Sequence, residues 1–164
     1  MQLKMRTDYA IRILLFLASK GTNVTGEIIC ENLGLTPSYF PKTIVELRRA
    51  GWVTSDAGIN GGYRLVKSPK EISVLDVMKL MEDSIKINRC LQEDHFCSRN
   101  ATEICEVHKL YLIFQEIYES YFDSVSIADL MRSSAYDTLI CKVCERLIEH
   151  IKATSLQQKA TAEG

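Results

Sequence analysis

No apolar run in this sequence approaches the ~18 residues that a membrane-crossing helix needs. The longest, Ile13 to Ala18, follows Arg12 and stops after six. The opening residues, Met1 to Asp8, hold no apolar signal-peptide core and no small-residue cleavage site, so a cytoplasmic protein with no membrane partner is expected. The composition has neither the apolar poverty of disordered chains nor the glycine and proline excess of collagen: 46% is hydrophobic and 25% charged, with eight Gly and three Pro. Catalytic signatures are missing too. There is no Ser–His–Asp order, no phosphate-cradling loop and no paired-carboxylate motif. The pair Cys141-x2-Cys144 lacks the βαβ setting of a thiol oxidoreductase. A binding protein, not an enzyme, is expected, and no internal repeat suggests a solenoid.

A net charge of -1 conceals a division. Residues 1–70 carry ten Lys/Arg against five acids, and residues 71–164 carry ten against sixteen. A basic front and an acidic back point to one half that faces a polyanion and another that does not.

Helical spacing of Ile11, Leu14, Leu15 and Ala18 predicts a first helix over 7–18. A short second helix follows over about 25–32, and Gly34 turns the chain. A third starts near Ser38 as N-cap, carries Pro41 in its first turn, buries Ile44, Leu47 and Ala50, and stops at Gly51. Strand-like Trp52–Thr54 and Tyr63–Val66 flank a glycine-rich tip. That order predicts a mainly α fold with a small β-hairpin wing: a winged helix-turn-helix over 1–70.

Ser73 is expected to cap a helix that buries Val77, Leu80 and Met81, and the polar stretch 84–100 to be irregular. These form a connecting helix and cysteine loop over 71–100. A long helix is predicted over about 102–122, with Ile104, Val107, Tyr111, Phe114, Tyr118 and Tyr121 in a 3,4 rhythm suited to packing along another helix. Ser126 caps a short piece, and Leu139, Ile140, Val143, Leu147 and Ile151 mark a last helix. Residues 101–153 are thus read as dimerisation helix plus C-terminal helix, and 154–164 as a flexible tail.

Six cysteines are many for a reducing compartment, and Cys90, Cys97 and Cys105 crowd one polar stretch, which calls for metal or redox chemistry. Cys30, among Ile28, Ile29 and Leu33, is expected in the core, and His95 is a spare ligand candidate.

Four segments carry a family resemblance. They are Leu3 to Arg12; Leu35-Thr36-Pro37-Ser38-Tyr39 leading to Leu47 to Val53; Gly61-Gly62-Tyr63-Arg64-Leu65; and the cysteine region followed by Ser126 to Leu130. Over roughly residues 1–131 the chain resembles the IscR/NsrR/CymR family of bacterial winged-helix transcription regulators, in its iron–sulfur branch. The resemblance implies a homodimer on palindromic double-stranded promoter DNA. It also implies three cysteines holding a cluster, [2Fe–2S] or [4Fe–4S], that controls binding in response to nitric oxide, redox state or iron–sulfur status. A repressor is expected. The alternative is a cluster-free or zinc-binding regulator of the same fold, acting through a protein partner in cysteine metabolism.

In a helix-turn-helix, Lys42 stands where base edges are reached, whereas Arg48, Arg49, Arg64 and Lys67 suit phosphates. Lys4, Ser38, Tyr39 and Thr43 complete the candidate DNA-contacting set. Pro41-Lys42 departs from the Glu-Gln that iron–sulfur members often carry there, and Asp56-Ala57 from the arginine many carry at the wing tip, so no operator sequence is carried over. The metal spacing is Cys90-x6-Cys97-x7-Cys105-x2-His108. Three thiolates leave one position for a weaker ligand. His108 and Asp8 compete for it: the family's cluster-assembly regulators use a histidine at this offset, and its nitric-oxide sensors an aspartate matching Asp8. Zinc usually takes tighter Cys-x2-4-Cys pairs, found here only as Cys141-x2-Cys144, which is either a redox couple, a second ligand source or two packing residues.

Overall fold

A computed structural model describes residues 3–36, 38–58, 60–132, 139–142, 144–145, 148–149 and 152. It is mainly α with one antiparallel hairpin, and it divides into two units: Met1–Ile85 with Val125–Ala135, and Lys86–Ser124 with Tyr136–Gly164.

The first unit is built on α1 (Met5–Lys20), whose Ala10, Ile13, Leu14 and Leu17 are at most 1% exposed. Burying each of the larger three contributes about 1.5–3 kcal/mol. Helices α2 (Gly26–Leu33), α3 (Phe40–Arg49) and α4 (Val74–Met81), with α6 (Ile127–Leu130), pack on it. No α1 side chain caps its own N-terminus. Glu82, just past α4, does so: its carboxylate accepts the Lys4 N–H at 2.8 Å and the hydroxyl of buried Thr7.

Helix α3 begins at Phe40, not behind Ser38. Tyr39 precedes it in a helical conformation, its N–H donating to the Thr36 carbonyl at 3.0 Å, so a turn occupies the place of the expected Ser38 cap. It ends as expected: Gly51 takes φ 72°, and Trp52 N–H donates to the Leu47 carbonyl at 3.1 Å. That bond draws Trp52 into the helix end, so β1 (Val53–Asp56) starts one residue late and pairs with β2 (Gly62–Leu65), Val53 opposite Leu65. Val24 and Tyr63 exchange backbone hydrogen bonds at 2.8 and 2.9 Å, fastening the wing to the loop before α2.

Two helices begin with reciprocal capping boxes, Ser73 with Asp76 on α4 and Ser126 with Asp129 on α6. The chain leaves the first unit after Ile85 and returns at Val125, where Val74 N–H donates to the Val125 carbonyl at 2.8 Å and Ile127 N–H to the Ile72 carbonyl at 2.9 Å.

The second unit holds α5 (Glu106–Ser124). The long helix starts later than its apolar rhythm implies, because only a 3-10 turn forms over Thr102–Ile104 and Cys105 is extended. Only Gln115 is buried on α5, whereas Ile104, Val107, Leu110, Ile113 and Phe114 are exposed. Residues 139–142, 144–145, 148–149 and 152 are helical; Val143, Leu147, Ile151 and the tail 154–164 lie outside the described residues.

Gly62 holds φ 139°, and a Cβ there would lie 2.6 Å from the Val24 carbonyl oxygen. Gly62→Ala is expected to cost about 1–3 kcal/mol through backbone strain, read as a lower urea midpoint. An unchanged midpoint would show that the wing base tolerates a side chain.

Candidate functional site

Helix α3 presents Lys42, Val45, Arg48 and Arg49 outward while Ile44 and Leu47 are buried beneath. Ser38 and Tyr39 are exposed at its start, with the Tyr39 ring edge-on to Tyr9 at 5.8 Å. Thr43 does not join this face: it is 1% exposed, and its hydroxyl donates to the Tyr39 carbonyl at 3.0 Å. Arg49 is tied to Glu46 at 2.9 Å. Lys4 pairs with Asp83, whose carboxyl falls below the usual range through that hydrogen bond and charge. On the wing, Arg64 sits 3.5 Å from Asp56, and Asp56 also accepts from Asn23 at 3.0 Å. These exposed pairs are weak enough to exchange for phosphates. Lys67 lies over the Trp52 ring at 5.8 Å. A cleft beside α3 brings Arg6, Lys42 and Arg49 together. The sequence reading missed Arg6, which stands on α1, well before α3 in the chain.

The cysteine loop is self-organised. A 3-10 turn over Arg89–Leu91 places Cys90, with Asn88 accepting the Cys90 N–H at 3.3 Å and Leu91 buried. Arg89 binds Asp94, donates to Gln92 at 2.8 Å and covers the Phe96 ring at 5.4 Å. His95 and Asn100 take left-handed φ of 46° and 49° on either side of Cys97. Backbone N–H groups, that of Ala101 foremost and then Arg99, hold the Cys97 thiol below its ordinary pKa. Cys90, Cys97 and Cys105 are each partly exposed.

His108, in the first turn of α5, brings Nδ1 within 3.3 Å of Cys90 Sγ. Cys105, three positions before His108, is extended ahead of the helix, and its carbonyl accepts the Lys109 N–H at 3.1 Å. Among the described residues, no three His, Cys, Asp or Glu side chains are close enough to hold a metal ion. Cys90 and His108 are brought together; Cys97 and Cys105 are not gathered with them. Asp8 is in the first unit and pairs with Arg12 at 2.9 Å. The donor set of three thiols and an imidazole, one sulfur–nitrogen pair already in contact, fits the chemistry of an iron–sulfur centre.

Gln115, two turns after His108, links loop to helix. Its Oε1 accepts the Ile87 N–H at 2.9 Å, its Nε2 donates to Glu119 at 2.8 Å, and Glu119 pairs with Lys86 at 2.7 Å. Periodicity alone could have found it, since 108, 115 and 119 share one helix face; the apolar rhythm drew attention to the other.

Residues 3–133 match the model of the Rrf2 family, described as an iron-dependent transcriptional regulator. The chain belongs to the Rrf2 family. A putative HTH-type transcriptional regulator of Azotobacter vinelandii is 32% identical over 142 residues, 85% of each chain. The HTH-type transcriptional regulator NsrR of Bacillus licheniformis is 30% identical over 134 residues, 80% of this chain and 92% of its own. Among solved structures, T. potens IscR shares 26% identity at a TM-score of 0.62, over 80% of this chain and 86% of that one. The global cysteine regulator CymR of B. subtilis aligns at a TM-score of 0.64 with 24% identity, over 80% and 96%, a likeness of fold. This Rrf2 chain is therefore a transcriptional regulator with a winged-helix fold. Among its described residues no helix is long and apolar enough to cross a membrane.

Replacing Gln115 by Leu leaves the Ile87 N–H without this acceptor. The expected cost is about 1–3 kcal/mol, with faster hydrogen exchange at the Ile87 amide. Unchanged exchange there would remove Gln115 from any role in fixing the loop.

Proposed function

We propose that this Rrf2 protein is a cytoplasmic homodimeric repressor whose grip on a palindromic operator is set by an iron–sulfur cluster, with Cys90, Cys97 and Cys105 as thiolate ligands and His108 as the fourth. The observation that carries this reading is the 3.3 Å approach of His108 Nδ1 to Cys90 Sγ. It favours His108, which already meets one of the three cysteines, over Asp8. A bound cluster would supply a centre sensitive to oxidation and nitric oxide, suited to sensing because one of its four ligands is not a thiolate. The chain's own residues do the rest: Arg89 shapes the loop, Gln115 fixes its approach to α5, and the outward face of α3 meets the DNA.

Anaerobic purification followed by iron, sulfide and zinc assay and a visible spectrum tests this. Iron and sulfide are expected, with the spectrum shifted by His108→Ala and unmoved by Asp8→Ala. Zinc without sulfide would overturn the cluster and favour the zinc-binding alternative. The opposite response of the two variants would transfer the fourth position to Asp8.

The dimer is assigned to the exposed side of α5, where Leu110 and Phe114 are 60% and 55% accessible, a face too apolar to leave in water. Leu110→Asp with Phe114→Asp should sediment as monomer and lose operator affinity. An unchanged dimer would move the interface elsewhere. In the DNA face, Lys42 reads bases while Arg48, Arg49 and Arg64 hold phosphates, aided by Lys4, Ser38 and Tyr39. Lys42→Ala should then change operator preference in competition binding, whereas Arg48→Ala weakens all sequences alike. Equal losses across sequences for Lys42→Ala would remove it from base readout.

A further inference from the structure

Cys141 and Cys144 take no part in the cluster reading. Both are helical, free and exposed. Lys142, between them in sequence, donates from Nζ to the Ser124 carbonyl, so the segment that carries them is fastened to the C-terminal end of α5.

Helix geometry decides what two such thiols can do. Residues three apart on an α-helix have Cα atoms about 5 Å apart, from the 1.5 Å rise and ~2.3 Å radius, and Cβ atoms about 5–6 Å apart. A disulfide needs Cβ atoms about 3.5–4.5 Å apart, so direct closure would require the helix to deform. One bridging ion removes that demand. Two metal–sulfur bonds of about 2.3 Å let the sulfurs stand up to ~4.6 Å apart, which side chains at this spacing reach in place. Two thiolates without harder donors select a soft cation. Structural zinc takes four ligands, whereas copper(I) is satisfied by two sulfurs.

We propose that Cys141 and Cys144 form a second thiol site that chelates a soft monovalent cation of the copper(I) class between their sulfurs. Binding exchanges two thiol protons for one cation: two RSH and Cu⁺ give [Cu(SR)₂]⁻ and two H⁺, with no change of oxidation state. The product carries a negative charge beside Lys142 in the sequence, and the site stands at the end of the helix to which the dimer is assigned.

The test uses the full chain with Cys90, Cys97 and Cys105 all replaced by Ser, given copper(I) without oxygen against a chromogenic copper(I) chelator. One equivalent retained, with an ultraviolet thiolate-to-copper band, is expected, and both should be lost on adding Cys141→Ser and Cys144→Ser. As a second measurement that keeps the cluster region intact, Cys141→Ser/Cys144→Ser in the otherwise unaltered chain should lower copper uptake by one equivalent. Iron and sulfide content of that variant should match the parent, which separates this site from the fate of the cluster reading. Copper surrendered wholly to the chelator, or retention indifferent to the two serines, would overturn the proposal. Closure of a Cys141–Cys144 disulfide by peroxide in a chain that retains no copper would replace it with a redox pair.

Discussion

Burial of α1 is the constraint on which the first unit depends. Ala10, Ile13, Leu14 and Leu17 are closed off from solvent because α2, α3, α4 and α6 all pack on that one helix. The functional face inherits its position from this packing. Tyr39, at the start of α3, rests against Tyr9 of α1, and Arg6 of α1 shares a cleft with Lys42 and Arg49. The N-terminus of α1 is completed from a distance by Glu82, a negative group placed where the helix dipole favours one. The segment that leads out of α4 is thereby tied to the helix that sets the α3 surface.

Helix α5 divides its labour by side. His108, Gln115 and Glu119 lie on one face and address the loop that carries Cys90. Val107, Leu110 and Phe114 lie on another and are open to solvent. A polar, hydrogen-bonded side specifies geometry, because each donor must find its partner; the apolar side has no such demand.

Local signals were legible where a few neighbouring residues decide the outcome. Gly51 ends α3 because only its backbone takes the left-handed turn at little cost, and Ser73 and Ser126 cap their helices with acids three residues on. The wing was legible from two short strands and a glycine-rich tip. Two signals were overridden by neighbouring backbone carbonyls and one by a distant acid. Ser38 has the chemistry of a cap, yet the Thr36 carbonyl captures the next N–H and the helix starts later. Thr43 looks like a polar face residue, yet it turns its hydroxyl back to the Tyr39 carbonyl and is buried. Lys4, basic in sequence, is already paired with an acid 79 positions away. In the candidate metal centre the fold joins Cys90 to His108, a contact that the spacing did not single out.

The return of the chain at Val125 makes the first unit discontinuous. Residues 1–85 contain all three helices of the DNA-facing motif and the whole wing, yet the Val74 N–H donates to the Val125 carbonyl, the Ile72 carbonyl accepts the Ile127 N–H, and Ile127 joins the core beneath α1. Cutting the chain after Ile85 would strand a carbonyl and an N–H and uncover part of the core. Residues 86–124 leave the first unit after Ile85 and rejoin it at Val125, while residues 136–164 of the second unit follow it in the chain. A fragment ending at Ile85 would therefore hold every helix of the DNA-facing motif and still lack part of the core on which that motif is built.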